Sequence, residues 1–313
     1  VIKQYEHNRK TKVVFQENKG LNATNNIALN IARGKYIVRL DSDDYFEEDA
    51  LQIMSKRLED DQALAMVFPD YYVVDAEGRI LNHEYRHNFR DSVSLFDQPA
   101  HGACSMVRKD LLLEVGGYSE EFRCQDGYEL WVKIVGRYKV DNINLPLFYY
   151  RRHGNNLTSD DKKILKTRCD IIGKHTKDRG INAENNLCII PIREDQNNIP
   201  LALRLFSGTT LLDITIAQVT RTKNIGNIIL TTNDQRVYEY ARKTLKDNII
   251  VDKRPDTMAA LNVPIEDTVK YILEEYYTEG EYPETVTVLN YEYPLRDPKY
   301  IDKSVNVMYL YGA

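Results

Sequence analysis

The chain has 313 residues, 42% of them hydrophobic, with a formal net charge of -5. That length suits two domains with their own cores, and the mild acidity excludes the basic face that nucleic-acid binding requires. No apolar run approaches the roughly 18 residues of a membrane-spanning helix and no signal peptide opens the chain, so the expected location is the cytoplasm, with peripheral contact at the inner face of the membrane.

In chain order, a strand over Lys12 to Gln16 precedes a turn at Asn18-Lys19-Gly20. A helix follows with Ala23, Ile27 and Ile31 on one face, and Gly34 is expected to close it. The apolar stretch Tyr36 to Leu40 then runs as a strand into Asp41-Ser42-Asp43-Asp44. Carboxylates at the carboxyl end of a strand suit a hard divalent cation that neutralises a diphosphate. The alternative is a solvated turn in which Asp44 caps a helix beginning near Glu47.

Strand-like segments Ala63 to Phe68 and Tyr71 to Val74 flank Asp70 and lead to the hairpin turn Asp75-Ala76-Glu77-Gly78. A strand and helix follow within Pro99 to Phe122, the helix ended by Gly116-Gly117. Leu130, Trp131, Ile134 and Val135 form one apolar helical face, which places Trp131 in a core. The strand near Pro146 ends in Arg151, Arg152 and His153. The imidazole suits a transition metal such as manganese, and the arginines suit either a diphosphate or a basic loop closing the strand.

A polar helix from about Ser159 to Lys177, with Ile164, Leu165, Ile171 and Ile172 as its stripe, reads as a connector. From Leu187 strands and helices alternate. Strands are expected over Cys188 to Ile192, Asn227 to Thr231, Asn248 to Val251 and Thr285 to Leu289, with helices from Leu212, through Val237, Ala241 and Leu245, and over Pro264 to Tyr276. Such alternation predicts a parallel sheet. Cysteines 104, 124, 169 and 188 are too widely spaced for a zinc ribbon or redox pair and read as reduced, buried thiols.

The run Asn18 to Leu51, with its Asn-Lys-Gly turn, Asn26 in the helix and Gly-Lys-Tyr-Ile before Asp-Ser-Asp-Asp, resembles the nucleotide-sugar-binding half of a family 2 glycosyltransferase of the GT-A fold. The resemblance continues to about residue 157. It implies a donor site containing Asn18, Gly20, Asn26 and Asp41, and a magnesium or manganese site of Asp43, Asp41 and His153. It also implies that Asp126 is the general base, with Glu129 as fallback because Gly127 intervenes before the aromatic-acidic-Leu-Trp segment. The alternative is a helix-surface carboxylate, which weighs more for Glu129 than for Asp126.

The spacing after residue 185 resembles the front of a cytidylyltransferase that activates acidic sugars, at Pro191 and Arg193, Ile199-Pro200, Thr231-Thr232-Asn233-Asp234, Arg254-Pro255 and Pro294-Leu295-Arg296. Arg193, Arg254 and Arg296 are its candidate nucleotide-binding residues. Its first loop, however, reads Glu194-Asp195-Gln196-Asn197-Asn198, which points carboxylates toward a phosphate site and lacks the family's lysine.

The expected fold is therefore α/β: two Rossmann-like, GT-A-type nucleotide-diphospho-sugar transferase domains with mostly parallel sheets, both incomplete by the resemblance. Their expected limits are 1–157, a connector over 158–184, and 185–313. The implied activity is metal-dependent, inverting transfer of a sugar from a nucleotide-sugar donor to a saccharide or lipid-linked acceptor hydroxyl in surface polysaccharide or lipopolysaccharide synthesis. The alternatives are activation of an acidic sugar with CTP, and a non-catalytic nucleotide-sugar-binding scaffold.

Overall fold

A computed structural model describes residues 5, 7–86, 102–122, 124–135, 137–152, 160–177, 180–246 and 248–311. It comprises two compact units, Val1–Arg168 and Cys169–Ala313. The division falls inside the helix Asp161–Thr176, which the sequence reading assigned whole to a connector over 158–184. Among the described residues no helix is long and apolar enough to cross a membrane.

The first unit begins with α1 (Leu21–Ile31), β1 (Tyr36–Val38), β2 (Tyr45–Phe46), α2 (Ala50–Asp60), β3 (Leu64–Val74) and β4 (Ile80–Glu84). It continues with β5 (Met106–Arg108), α3 (Lys109–Glu114), α4 (Asp126–Ile134), β6 (Lys139–Arg151) and the start of α5 (Asp161–Thr176). The sheet order is β1-β5-β3-β6-β2, with β4 on the second half of β3. One pair, β3 with β6, is parallel; the remaining pairs are antiparallel.

Apolar residues four apart explain how α2 docks on this sheet. Ala50, Met54 and Leu58 fall on one face and are fully buried with Leu64 and Val67, each large side chain contributing about 1.5–3 kcal/mol of apolar transfer. The end of α2 leaves carbonyls without helical partners. The buried Arg108 guanidinium donates to the Leu58, Asp61 and Leu64 carbonyls and so joins β5 to that helix end. On α4, Trp131 is fully buried edge-on to Phe68, ring centroids 5.5 Å apart.

The second unit contains β7 (Asn186–Ile192), β8 (Leu205–Phe206), β9 (Thr209–Thr210), α6 (Leu211–Val219), β10 (Asn227–Thr232) and α7 (Gln235–Thr244). Then come β11 (Ile249–Lys253), α8 (Ile265–Tyr276), β12 (Thr285–Val288) and α9 (Pro298–Tyr311). Its main sheet, ordered β11-β10-β7-β12, is wholly parallel. Alternate residues of β7 serve opposite layers. Cys188, Ile190 and Ile192 pack toward α6, α7 and α9, whereas Leu187 and Ile189 pack toward Ile272 of α8.

The α/β class and the order of elements agree with expectation, with the parallel content concentrated in the second unit. Several local readings are corrected. Residues 11–20 form no strand, because Lys12 to Gln16 find no ladder partner among the described residues, and Gln16 bonds Thr24 through its side chain. Helix α1 stops at Ile31 with Ala32 already extended, and Gly34 is absent from the left-handed glycines, so it does not cap the helix. Gly117, by contrast, has φ +63 and donates to the Leu112 carbonyl at the end of α3, as a terminating glycine should. Asp49, not Asp44, occupies the N-cap position of α2. The final helix α9 was not anticipated.

Candidate functional site

Strand β1 ends at Val38, and three residues later the chain turns sharply, the Asp44 amide donating to the Asp41 carbonyl at 3.3 Å. Arg151, at the end of β6, fixes this turn. Its amide donates to Asp44 Oδ1 at 2.8 Å, its Nε to the Asp43 carbonyl at 2.9 Å, and its Nη1 to the Asp75 and Ala76 carbonyls of the hairpin at 3.0 and 2.6 Å. The guanidinium also lies 5.7 Å from the Tyr45 ring centroid. Of the two roles open to Arg151, the geometry supports the one that closes the strand. The side chain of Arg152 is exposed.

Burial pushes the Asp44 carboxyl up to about 6; the Arg151 amide opposes this shift, and the charges of Asp43 and Asp41 add to it. The turn therefore concentrates negative charge. Against it stands Arg39, a residue the sequence reading passed over. Arg39 Nε lies 3.0 Å from Asp41 Oδ1 and Nη2 donates to Asp41 Oδ2 at 3.1 Å, while Nη1 donates to Asp126 Oδ2. Burial alone would lower the Arg39 pKa, but the charges of Asp126 and Asp41 outweigh it and raise the value.

Asp126 is the first residue of α4 and is buried. Its position is built from both sides. Gln125 takes a left-handed φ of 63° and receives Arg168 Nε at 2.7 Å. Upstream, Asn22 and Asn26, one turn apart on α1, hold the chain that leads into α4. Asn22 Nδ2 donates to the Ser119 and Phe122 carbonyls, Asn26 Nδ2 to the Tyr118 carbonyl at 2.8 Å, and the Tyr118 amide to Asn26 Oδ1 at 2.9 Å. A Cβ at Gly117 would stand 2.8 Å from Asn26 Oδ1, so the approach requires glycine. The Asn26 carboxamide thus organises the loop preceding the Asp126 helix.

Gly127, which departs from the family pattern, has a physical counterpart. A Cβ on Gly102 would meet Asp126 Oδ2 at 3.0 Å, Gly127 Cα at 3.3 Å and Arg39 Nη1 at 3.4 Å. Two glycines let the short 102–104 turn pack against the ion pair. Glu129, the fallback base, does not lie on the helix surface: it is buried at 1% side-chain exposure and paired with Lys133 at 3.0 Å, and Lys133 also donates to the Gly117 carbonyl. Burial requires that charge to be paired, which gives Glu129 a packing role within α4.

Asn18 and Gly20 shape the start of α1. Asn18 Oδ1 accepts the Gly20 amide at 3.0 Å, and Gly20 has φ +90. His153 lies outside the described residues. Among the described residues no three His, Cys, Asp or Glu side chains converge as metal ligands. The acidic turn supplies two hard oxygen donors, Asp41 and Asp43, which suits magnesium, an ion commonly held by one or two carboxylates together with waters and substrate phosphates.

The polar loop after β7 in the second unit is organised differently. Asp195 accepts the Asn197 amide at 2.8 Å and the Leu201 amide at 2.6 Å. Burial raises its carboxyl, but these amides prevail and hold it below the ordinary range. Arg236 donates to the Asp195, Asn197 and Asn198 carbonyls and pairs with Asp234 at 2.6 Å, and Asp234 in turn caps α7. Asn233 bridges the Glu194 amide and Asp256.

The three candidate arginines also meet backbone. Arg193 reaches the Val263 carbonyl at 2.8 Å, and Arg296 donates to the Tyr293 and Asn290 carbonyls of its own loop. Arg254, 2% exposed, donates to Thr268 and to the Ile192 carbonyl. Its Nε has no hydrogen-bond partner among the described residues, and burial together with the Arg193 charge depresses its pKa.

Residues 1–116 match the family model for glycosyl transferase family 2. The chain is 30% identical over 158 residues to the uncharacterized glycosyltransferase MJ1057 of Methanocaldococcus jannaschii, covering 48% of this chain and 54% of that protein. It is 28% identical over 166 residues to chondroitin synthase of Escherichia coli, covering 52% and 24% respectively. The chain thus spans about half or less of the length of these relatives. A solved structure of S. aureus TarS, residues 1–349, aligns with a TM-score of 0.44 at 16% identity, covering 56% of this chain and 51% of that one.

Proposed function

We propose that this chain transfers a sugar from a nucleotide-sugar donor to an acceptor hydroxyl, using the acidic turn after β1 on the donor side and Asp126 as general base. The observation that carries the reading is Arg39, which joins Asp41 to an aspartate 87 residues further along the chain. A fold has little structural reason to bring two carboxylates together in a half-buried place, where their repulsion grows as water is withdrawn. Substrate chemistry supplies a reason. The matched family and a relative named chondroitin synthase support an acceptor that is a saccharide or lipid-linked saccharide of a surface polysaccharide.

Asp41 and Asp43 would hold a divalent cation, which when bound would neutralise the departing nucleoside diphosphate. Asp126 accepts the proton of the acceptor hydroxyl as that oxygen attacks the anomeric carbon. A carboxylate can do this at neutral pH when its geometry is fixed and proton transfer is concerted with attack. Arg39, Gly102 and the Asn22–Asn26 clamp supply that fixed geometry. The test is nucleoside diphosphate release from a panel of nucleotide sugars, with Asp126→Asn as the discriminating variant; full turnover by that variant would sink the reading.

One observation favours a second activity, cytidylyl transfer in the second unit. Arg254 is a buried cation with an unfilled donor close to the carboxyl end of β7, where parallel sheets bind ligands. The inward-turned Asp195 and the carbonyls held by Arg236 oppose it, because a triphosphate needs amides facing outward. Pyrophosphate release from CTP with an acidic sugar decides between them.

A further inference from the structure

We infer that Arg39 is the positioning residue of the transfer site, setting the Asp126 carboxylate against the donor-side turn; this rests on the reading of Asp126 as the base. Its guanidinium divides its donors, with Nη2 donating to Asp41 Oδ2, Nη1 donating to Asp126 Oδ2, and Nε 3.0 Å from Asp41 Oδ1 in the same ion pair. A planar fork fixes two carboxylates in a set mutual orientation, whereas a lysine ammonium is a compact point charge with rotatable donors. Arg39 provides the one ion pair of Asp126 among the described residues, and both side chains are nearly closed to solvent, at 12% and 11% exposure.

The surroundings are fitted to the pair. The Gly102 backbone passes so close that a Cβ there would press on Asp126 Oδ2 and Gly127 Cα and touch Arg39 Nη1, so the ion pair in this arrangement requires glycine at 102. One oxygen of Asp126 is held in this contact, and the carboxylate is thereby oriented for its other oxygen to meet the acceptor. Arg39 itself acts through Asp126 and need not touch the acceptor.

The test uses the whole chain and four proteins: wild type, Arg39→Ala, Asp126→Asn and the double variant, with Arg39→Lys replacing Arg39→Ala if the latter fails to fold. Turnover is followed as UDP release from UDP-N-acetylglucosamine and UDP-glucose in the presence of Mn²⁺. Arg39→Ala is expected to lose about 100-fold in kcat, the scale of a misplacement near 1 Å, with little change in donor KM. Methylguanidinium should restore part of the kcat of Arg39→Ala and none of the double variant's.

An unchanged kcat in Arg39→Ala beside an inactive Asp126→Asn overturns the inference and leaves the functional reading standing. Full activity of Asp126→Asn overturns the functional reading instead. Melting temperatures of the four proteins give an arm that needs no donor. Coupled residues predict a double variant less destabilised than the two single shifts combined, and strictly additive shifts overturn the inference.

Discussion

Two post-strand polar loops behave in opposite ways. The turn after β1 contributes Asp41 and Asp43, and its partners arrive from elsewhere: Arg151 from the end of β6, and Asp126 from α4 by way of Arg39. The loop after β7 is of similar polarity, yet Asp195 takes its own loop's amides and Arg236 takes its carbonyls. The first loop gathers charge, and burial, with the charges of Asp43 and Asp41 adding to it, lifts Asp44 to about 6. The second is closed by its own amides and by Arg236 of α7, and both Asp195 and the α7 cap Asp234 are held low. Polar composition after a strand therefore does not identify a site; long-range convergence of like charges is the better sign.

The contrast can be broken most directly at Asp126. Asp126→Asn should lower kcat by about 10²–10⁴-fold, the range for loss of a general base, with nucleoside diphosphate binding retained when measured calorimetrically. At the donor side, Asp43→Asn should abolish the response of turnover to added Mg²⁺ or Mn²⁺, and EDTA should silence the wild type; metal titrations of activity check both.

In the self-satisfied loop the expected effect is on stability. Asp234→Ala removes the α7 cap, which should cost about 1–2 kcal/mol in urea unfolding without altering UDP release. The opposite sign is expected at Asp44 in metal-free protein. Its folded pKa lies above the unfolded value of 3.8, so the stability its neutral form contributes is present below about 4 and lost as pH rises through about 6. Asp44→Asn, whose oxygen still accepts the Arg151 amide, should therefore stabilise the chain at pH 7 by up to about 3 kcal/mol and flatten the pH 4–6 dependence.

A surface control has the smallest expected effect. Hydrogen bonds from Tyr36 and Lys35 lower Glu59 to about 2. Its contribution is present above pH 4.5 and lost as pH falls toward 2, so Glu59→Gln should be slightly less stable than wild type above pH 4.5, with the difference vanishing as pH falls toward 2.

Periodic elements were legible because burial leaves a repeating mark. Met54 and Leu58 at helical spacing, the alternating faces of β7, and the glycine-ended α3 all match the apolar pattern of the chain. Lys12 to Gln16 failed because a strand exists only where a neighbour offers a ladder, and Gly34 failed because α1 ended before reaching it. Asp41, Asp43 and Asp126 could be singled out by residue type and motif. Arg39 could not, since a lone arginine in an apolar stretch reads the same whether its partner is solvent or an aspartate on α4.

The sequence by itself determined the alternation of strands and helices and which acidic residues to examine, because local hydrophobic period and turn chemistry are written within a few residues. The tertiary structure decided which side chains those residues meet. It placed Glu129 inside against Lys133, turned Asp195 into its own loop, and gave Asn26 to the loop before α4. It also set Arg39 between Asp41 and Asp126. Hydrogen bonds and ion pairs depend on distances of a few ångströms between residues far apart in the chain, and only packing of the whole unit fixes those distances.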